Sequence, residues 1–167
     1  MDTKLVKQAQ KRNKKAFVEL IERCQVSMHK AAIAVLQNDE DAADAIQETI
    51  LVCWEKIDSL RQAGYFKTWL MRILIHQCYA VYNKRKHTIA VENVPEMVAD
   101  SGRYTEIEWQ EMLSHLKEKQ RIAVELYYGQ QFKVREIAQI LQISESAVKS
   151  RLQSARETLE AFYRLEE

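Results

Sequence analysis

Val134-Arg-Glu-Ile-Ala-Gln-Ile-Leu-Gln-Ile-Ser-Glu-Ser-Ala-Val-Lys-Ser-Arg-Leu-Gln-Ser-Ala-Arg156 reads as two short helices around a tight turn. Val134, Ile137, Ala138 and Leu141 recur at helical spacing, Ile143 fills the turn, and Ser144 stands where it can cap a second helix. That helix turns Val148, Leu152, Ala155 and Leu159 inward. Projected at 100° per residue, the opposite face holds Ser146, Ser150, Gln153 and Ser154, flanked by Lys149 and Arg156 on one side and Arg151 on the other. Hydroxyls and an amide suit base edges in a DNA groove, whereas the three cations suit phosphates. A single amphipathic helix with a solvated polar face would look the same, so the decision rests on what precedes it.

The chain of 167 residues is 47% hydrophobic and 29% charged, enough to bury one or two small cores. Three glycines and one proline are its only such breaks, and Gly64, Gly102 and Gly129 each fall between segments of helical period. No sustained alternation of period two occurs, so an all-α chain is expected. The start shows no basic leader with an apolar core, and the longest apolar run, Ala31 to Leu36, is too short to span a bilayer. These features predict a cytoplasmic protein without direct membrane insertion. Cys24, Cys53 and Cys78 form no CxxC pair and fall on or beside apolar stripes, which predicts reduced thiols in or near the core. His76 and Cys78, two apart, point to different faces of a helix, so no metal site and no cofactor are expected.

Twenty-five Lys and Arg against 24 Asp and Glu leave a net charge of +1, little for a protein that holds DNA unaided. The charges are segregated. Lys11, Arg12, Lys14 and Lys15 cluster near the start, and Lys84, Arg85, Lys86 and His87 follow the central helices. Between Glu92 and Glu111 only Arg103 opposes six carboxylates.

Asn13 is placed to cap a helix with the stripe Phe17, Leu20, Ile21, Cys24, Met28, Ala31 and Val35. After Gln37-Asn-Asp-Glu40 a second helix turns Ala42, Ile46, Thr49, Ile50, Cys53 and Ile57 inward, and Gly64 opens a third from Phe66 to the basic cluster. These three helices form a first domain over residues 1–87. Residues 88–106 lose periodicity, contain Pro95 and Gly102, and read as an acidic linker. Residues 107–167 form a second domain, in which Ile107, Met112 (or Glu111), Leu113, Leu116, Ile122, Ala123, Leu126 and Tyr127 suggest two helices that precede the helix-turn-helix and pack beneath it, with a loop at Gly129 to Phe132.

Two surfaces exceed what a core requires. On the second helix Asp44, Glu48, Leu51 and Glu55 form one stripe opposite the buried one, and Glu40, Asp41 and Gln47 extend it. A charged run is usually a solvated face. A leucine ringed by carboxylates also suits a partner helix bearing Arg or Lys, the apolar anchor giving affinity and the charge-assisted bonds giving register. The third helix is apolar nearly all round: Phe66, Trp69, Leu70, Ile73 and Gln77 on one face, Met71, Ile75, Tyr79 and Tyr82 on the other. It is either a central helix buried on both sides, or a platform whose tyrosines, beside Lys84, Arg85 and Lys86, stack unpaired bases.

In this order the pieces resemble a bacterial sigma factor of the extracytoplasmic-function group, within the sigma-70 family. The resemblance covers most of the chain. It is carried by Ala16-Phe-Val-Glu-Leu-Ile-Glu, by Asp41-Ala-Ala-Asp-Ala-Ile-Gln-Glu-Thr49, and by Phe66-Lys-Thr-Trp-Leu-Met-Arg-Ile73. Lys119-Gln-Arg-Ile-Ala-Val-Glu-Leu-Tyr-Tyr-Gly129, Val134-Arg-Glu-Ile-Ala138 and Val148-Lys-Ser-Arg-Leu152 complete it. The chain departs from the family's usual pattern with His76 and Ala80 where Asn and Asp are common, and Gln142 where the turn commonly has Gly. It also has Leu116-Lys117 where Leu-Pro often opens the second domain. If that turn needs positive φ, Gln142 adopts it at some strain.

The resemblance implies a transcription initiation factor with no enzymatic chemistry of its own. Asp44, Gln47, Glu48 and Leu51 would dock on the clamp helices of the largest subunit of core RNA polymerase. His76, Tyr79, Tyr82, Asn83 and Lys84, with the Gly64 loop, would hold the melted minus-10 strand of promoter DNA. Ser146, Lys149, Ser150, Gln153 and Ser154 would read the minus-35 element while Arg151 and Arg156 hold phosphates. The linker would lie near the RNA path, and a membrane-linked anti-sigma factor would mask these surfaces. Polymerase would then supply much of the nonspecific DNA affinity, which accounts for the near-neutral charge. Two alternatives are a free-standing helix-turn-helix regulator, expected to bind a palindrome as a dimer, and an adaptor that binds only protein.

Overall fold

The structure is a computed structural model that describes residues 1–88 and 104–165. Among these the chain is helical, without a strand: α1 (Thr3–Gln10), α2 (Lys14–Leu36), α3 (Asp39–Lys56), α4 (Phe66–Thr88), α5 (Tyr104–Ser114), α6 (Glu118–Val124), α7 (Val134–Leu141) and α8 (Glu145–Leu165). Two 3-10 turns, Ile57–Ser59 and Ala63–Tyr65, join α3 to α4, and a π turn, Glu125–Gly129, follows α6. The all-α expectation holds. Most of the linker lies outside the described residues, as do its expected acidic side chains Glu92, Glu96 and Asp100. Tyr104–Glu106, assigned to the linker from sequence, are the first turn of α5.

Local chemistry sets the boundaries. The Asn13 side chain accepts from the Ala16 amide (3.1 Å) and starts α2; Asn38 does the same for Asp41 (2.9 Å) and starts α3. Asp39, Glu40 and Asp41 in the first turn of α3 complement its dipole. Gln37, at φ 50°, closes α2 in the left-handed region. Helix α1 does not figure in the sequence expectation. Asp2 caps it, and Leu5, Val6 and Ala9 are buried.

The first core joins Leu20, Cys24, Met28 and Val35 of α2 to Ala42, Ala45 and Cys53 of α3 and Phe66, Leu70, Leu74 and Cys78 of α4. All three cysteines are free and buried, and burial pushes the thiols of Cys53 and Cys78 up to about 12, so they are poor nucleophiles. In the second domain Leu113, Leu116, Ile122, Leu126, Ile137, Ile140, Val148 and Leu152 converge.

The two domains pack on each other: α4 lies between α2 and α3 on one side and α7 on the other, and α6 with its π turn rests on α2. Met71 and Ile75 of the second face of α4 are thus buried as in a central helix, whereas Tyr82 at its end stays exposed. Polar contacts bind the interface. Gln130 donates to the Ser27 carbonyl (3.0 Å), Lys30 pairs with Glu106 (3.0 Å), and Lys67 lies over the Phe132 ring at 5.2 Å. The Arg121 guanidinium is buried, donating from Nε to the Ala34 carbonyl of α2 and from Nη1 to the Leu116 carbonyl (3.0 Å).

Behind this interface Glu125 is wholly buried on the π turn, where its carboxylate accepts from Trp109 Nε1 (2.8 Å) and Gln130 Nε2 (3.2 Å). Burial pushes its pKa up, and the two hydrogen bonds oppose that shift. A Cβ at Gly129 would sit 2.9 Å from both carboxylate oxygens. Gly129→Ala must therefore displace the carboxylate from its donors. The expected loss is roughly 1–3 kcal/mol, the usual range for overpacking, seen as a lower midpoint in urea unfolding.

Candidate functional site

Helix α3 leaves Asp44, Gln47, Glu48 and Leu51 exposed on one side while Ala42, Ala45, Thr49 and Cys53 are buried on the other. Leu51 keeps 59% of its surface accessible, high for an apolar residue in the middle of a well-packed helix. Asp41 departs from the surface assigned to it: it is half-buried and ion-paired with Arg85 of α4, so the acidic stripe begins effectively at Asp44.

The helix-turn-helix has the geometry its sequence predicts. Ser144 Oγ accepts from the Ala147 amide (3.0 Å) to cap α8, and Gln142 adopts φ 55°, ψ 46°, the left-handed conformation usually left to glycine. Val148, Leu152 and Ala155 are buried, and Leu159 is half-buried. Ser146, Lys149, Ser150, Gln153, Ser154 and Arg156 are exposed on α8.

Their engagements differ. Ser154 Oγ accepts from Gln120 of α6 (2.8 Å), a bond that ties α8 to its own domain. Gln153 donates to Glu157 (3.1 Å), one turn on along the same exposed face. Arg156 donates to the Tyr128 hydroxyl from Nε and Nη2 (3.0 and 2.7 Å) and lies over that ring at 5.9 Å. The two bonds to one hydroxyl hold the guanidinium at the edge of the helix. Arg151 is half-buried, and its positive charge acts on Tyr79 of α4.

On α4, His76, Tyr82, Asn83 and Lys84 are exposed, whereas Cys78 is buried away from His76, as their spacing requires. Tyr79 is different. It is half-buried at the domain interface near Glu118 of α6, with its pKa raised by burial first and by that carboxylate second. Arg72, one helical turn after Thr68, meets the helix-turn-helix turn: with the Gln142 amide oxygen facing it, Arg72 donates two bonds of 3.2 and 2.6 Å. The strained residue of the turn is thus held from the other domain. Sequence reasoning did not foresee these cross-domain bonds, which join residues with no fixed spacing.

Two family descriptions match the chain, Sigma-70 region 2 over residues 20–88 and Sigma-70 region 4 over residues 106–159. The ECF RNA polymerase sigma factor SigM of Mycobacterium tuberculosis is 31% identical over 147 residues, 86% of this chain and 75% of that protein. The ECF RNA polymerase sigma-E factor of Salmonella typhimurium is 30% identical over 180 residues, covering 95% and 92%. Among solved structures, the sigma factor RpoE in complex with the anti-sigma factor NepR from Bartonella quintana has the same fold. Its TM-score is 0.76 at 24% identity over 92% of this chain and 99% of that one. Nothing among these favours a free-standing regulator. The chain belongs to the extracytoplasmic-function sigma factors of the sigma-70 family, and it is a promoter-specific transcription initiation factor that binds core RNA polymerase.

Proposed function

We propose that this factor grips its promoter at two points and polymerase at a third, using the exposed faces of α3, α4 and α8. Asp44, Gln47, Glu48 and Leu51 dock on the clamp helices of the largest polymerase subunit. Ser146, Lys149, Ser150 and Gln153 face the minus-35 major groove, and Arg151 and Arg156 hold phosphates. His76, Tyr82, Asn83 and Lys84, with the loop at Gly64, hold the melted minus-10 strand, joined by Tyr79 once it leaves Glu118. Ser154 joins the minus-35 readers as a donor, since its Oγ accepts from Gln120 and its O–H is left for a base acceptor. The observation that carries the proposal is the exposed Leu51 amid acidic side chains, opposite a fully packed face.

The factor has no chemistry of its own and acts in the cytoplasm. No helix among the described residues is long and apolar enough to cross a membrane. A membrane-linked anti-sigma factor covering the same surfaces is the regulatory partner that family membership suggests. Runoff transcription with purified core polymerase on genomic DNA tests the function and reports the promoter together; transcripts no different from those of core alone would refute it.

Base reading and phosphate holding separate experimentally. Gln153→Ala should relax sequence preference at the upstream element at a cost of roughly 1–3 kcal/mol. Lys149→Ala with Arg156→Ala should instead weaken binding to all sequences and flatten its salt dependence, measured by holoenzyme binding across a salt series. Identical behaviour of the two variants would overturn the sorting.

A further inference from the structure

The connection from α3 to α4 is held from outside by the corner between α1 and α2. Gln10, the last residue of α1, donates from Nε2 to the carbonyls of Ile57 (3.2 Å) and Leu60 (2.7 Å), which bracket the first 3-10 turn. Arg12 follows at φ 65°, a backbone conformation rarely adopted without glycine. From there its guanidinium reaches the last turn of α3: it donates to the carbonyls of Trp54 and Glu55 (the latter 3.4 Å) and to the Asp58 carboxylate. It also lies over the Trp54 ring at 5.3 Å, and that ring packs on Phe17 of α2 at 5.0 Å.

These contacts satisfy carbonyls that every helix leaves open at its C-terminus. They also fix where the chain goes next. The second 3-10 turn packs against α1, and the residues it presents, Arg61, Gln62, Gly64 and Tyr65, are exposed. Beyond them an open cleft of about 420 Å³ is lined by Arg61, Tyr65, Trp69 and Arg72 among others, pairing stackable rings with cations. The core under α1 is apolar, made by Leu5, Val6 and Ala9, so α1 has anchors besides Gln10 and Arg12. A strained residue outside the core, committing a long side chain to the end of α3 and the turn that leaves it, has the character of a positioning device.

We propose that Gln10 and Arg12 are positioning residues for minus-10 recognition: without touching DNA they set the height and direction of the 57–65 loop against the melted strand. The inference rests on the proposal that this loop meets that strand. Holoenzyme is reconstituted with core polymerase and wild-type, Gln10→Glu, Arg12→Ala or Arg12→Lys factor, on a promoter identified by runoff transcription. Gln10→Glu keeps the shape of the side chain but sets an acceptor against two carbonyls. Strand opening is followed by permanganate reactivity, and loop placement by photocrosslinking from benzoylphenylalanine at position 62.

Gln10→Glu and Arg12→Ala should slow opening on the order of 10-fold to 100-fold, as a misplacement of about 1 Å does at reacting centres. They should also shift the crosslinked nucleotide and alter preference among minus-10 base substitutions. Core affinity and the minus-35 footprint should stay unchanged, and Arg12→Lys should recover part of the loss through Asp58. Unchanged opening and crosslinks in the variants, with wild type crosslinking to the minus-10 strand, would overturn the inference alone. So would defects that merely track a lowered melting temperature and vanish on cooling. Absence of any minus-10 crosslink from wild type would overturn the placement of the loop as well.

Discussion

Leu51→Ala combined with Glu48→Lys should abolish binding to core polymerase while leaving the fold intact. Both side chains are exposed on α3, and neither contributes to the packing of Ala42, Ala45, Thr49 and Cys53 on the reverse face. The far-ultraviolet spectrum and thermal midpoint should therefore stay near wild type, as exposed substitutions usually leave them. At an interface the balance changes. An apolar anchor surrounded by charge-assisted bonds is the arrangement in which truncation costs roughly 2–4 kcal/mol, and reversing a neighbouring charge adds repulsion and deters encounter. The expected loss of affinity is about 100-fold or more. Promoter-directed transcription should fall with it, while isolated binding of the second domain to upstream DNA should not. Retention of the double variant in a pull-down with core polymerase would refute the docking assignment.

How much of this was legible in the sequence depended on the range of the interaction. Asn13 and Ser144 were readable as caps because capping acts across three residues, whereas the left-handed Gln142 was expected only through the family resemblance, which commonly has Gly at that place in the turn. The two apolar faces of α4 left open whether the second is buried or meets unpaired bases; what covers most of it, α7, is more than forty residues away. Helix α1 was missed because eight residues hold only Leu5, Val6 and Ala9 as a stripe, too short for period to emerge, although Asp2 before it was a usable signal. Glu125 sits between Val124 and Leu126 in a run of apolar residues, where a carboxylate reads as solvated; Trp109 and Gln130 make its burial possible. Asp41 was placed on the docking stripe because its partner Arg85 lies on another helix.

The same limit hid the domain interface, and it matters for function because the closed arrangement conflicts with the proposed two-point grip. Elements named for positions 10 and 35 are centred about 25 base pairs apart, roughly 80 Å at 3.4 Å per pair. A compact chain of this length has a radius of gyration near 15 Å, so a closed molecule falls well short of that span. The fifteen residues between Thr88 and Tyr104 have a contour length on the order of 50 Å, so the proposed grip requires the domains to separate.

Separation must break the Arg121 clasp. Its guanidinium is buried where α6 meets α2, donating to the Ala34 carbonyl across the interface and to Leu116 within its own domain. Burial depresses its pKa, while the neighbouring Glu118 and Tyr79 act in the opposite sense. Arg121→Met keeps the volume but leaves both carbonyls without that donor, at about 1–3 kcal/mol for a buried acceptor left unmade. Opening restores Ala34 to water, so the variant should favour the open form by about tenfold or more. Small-angle scattering should show a larger radius of gyration for Arg121→Met than for wild type, and hydrogen exchange should show faster exchange along α7 and the outer face of α4. Released from Glu118, Tyr79 should titrate closer to an ordinary phenol, and Arg151 should become available to phosphate, so upstream DNA binding by the free factor should rise. An unchanged scattering profile together with unchanged exchange would mean that Arg121 is not what keeps the domains closed.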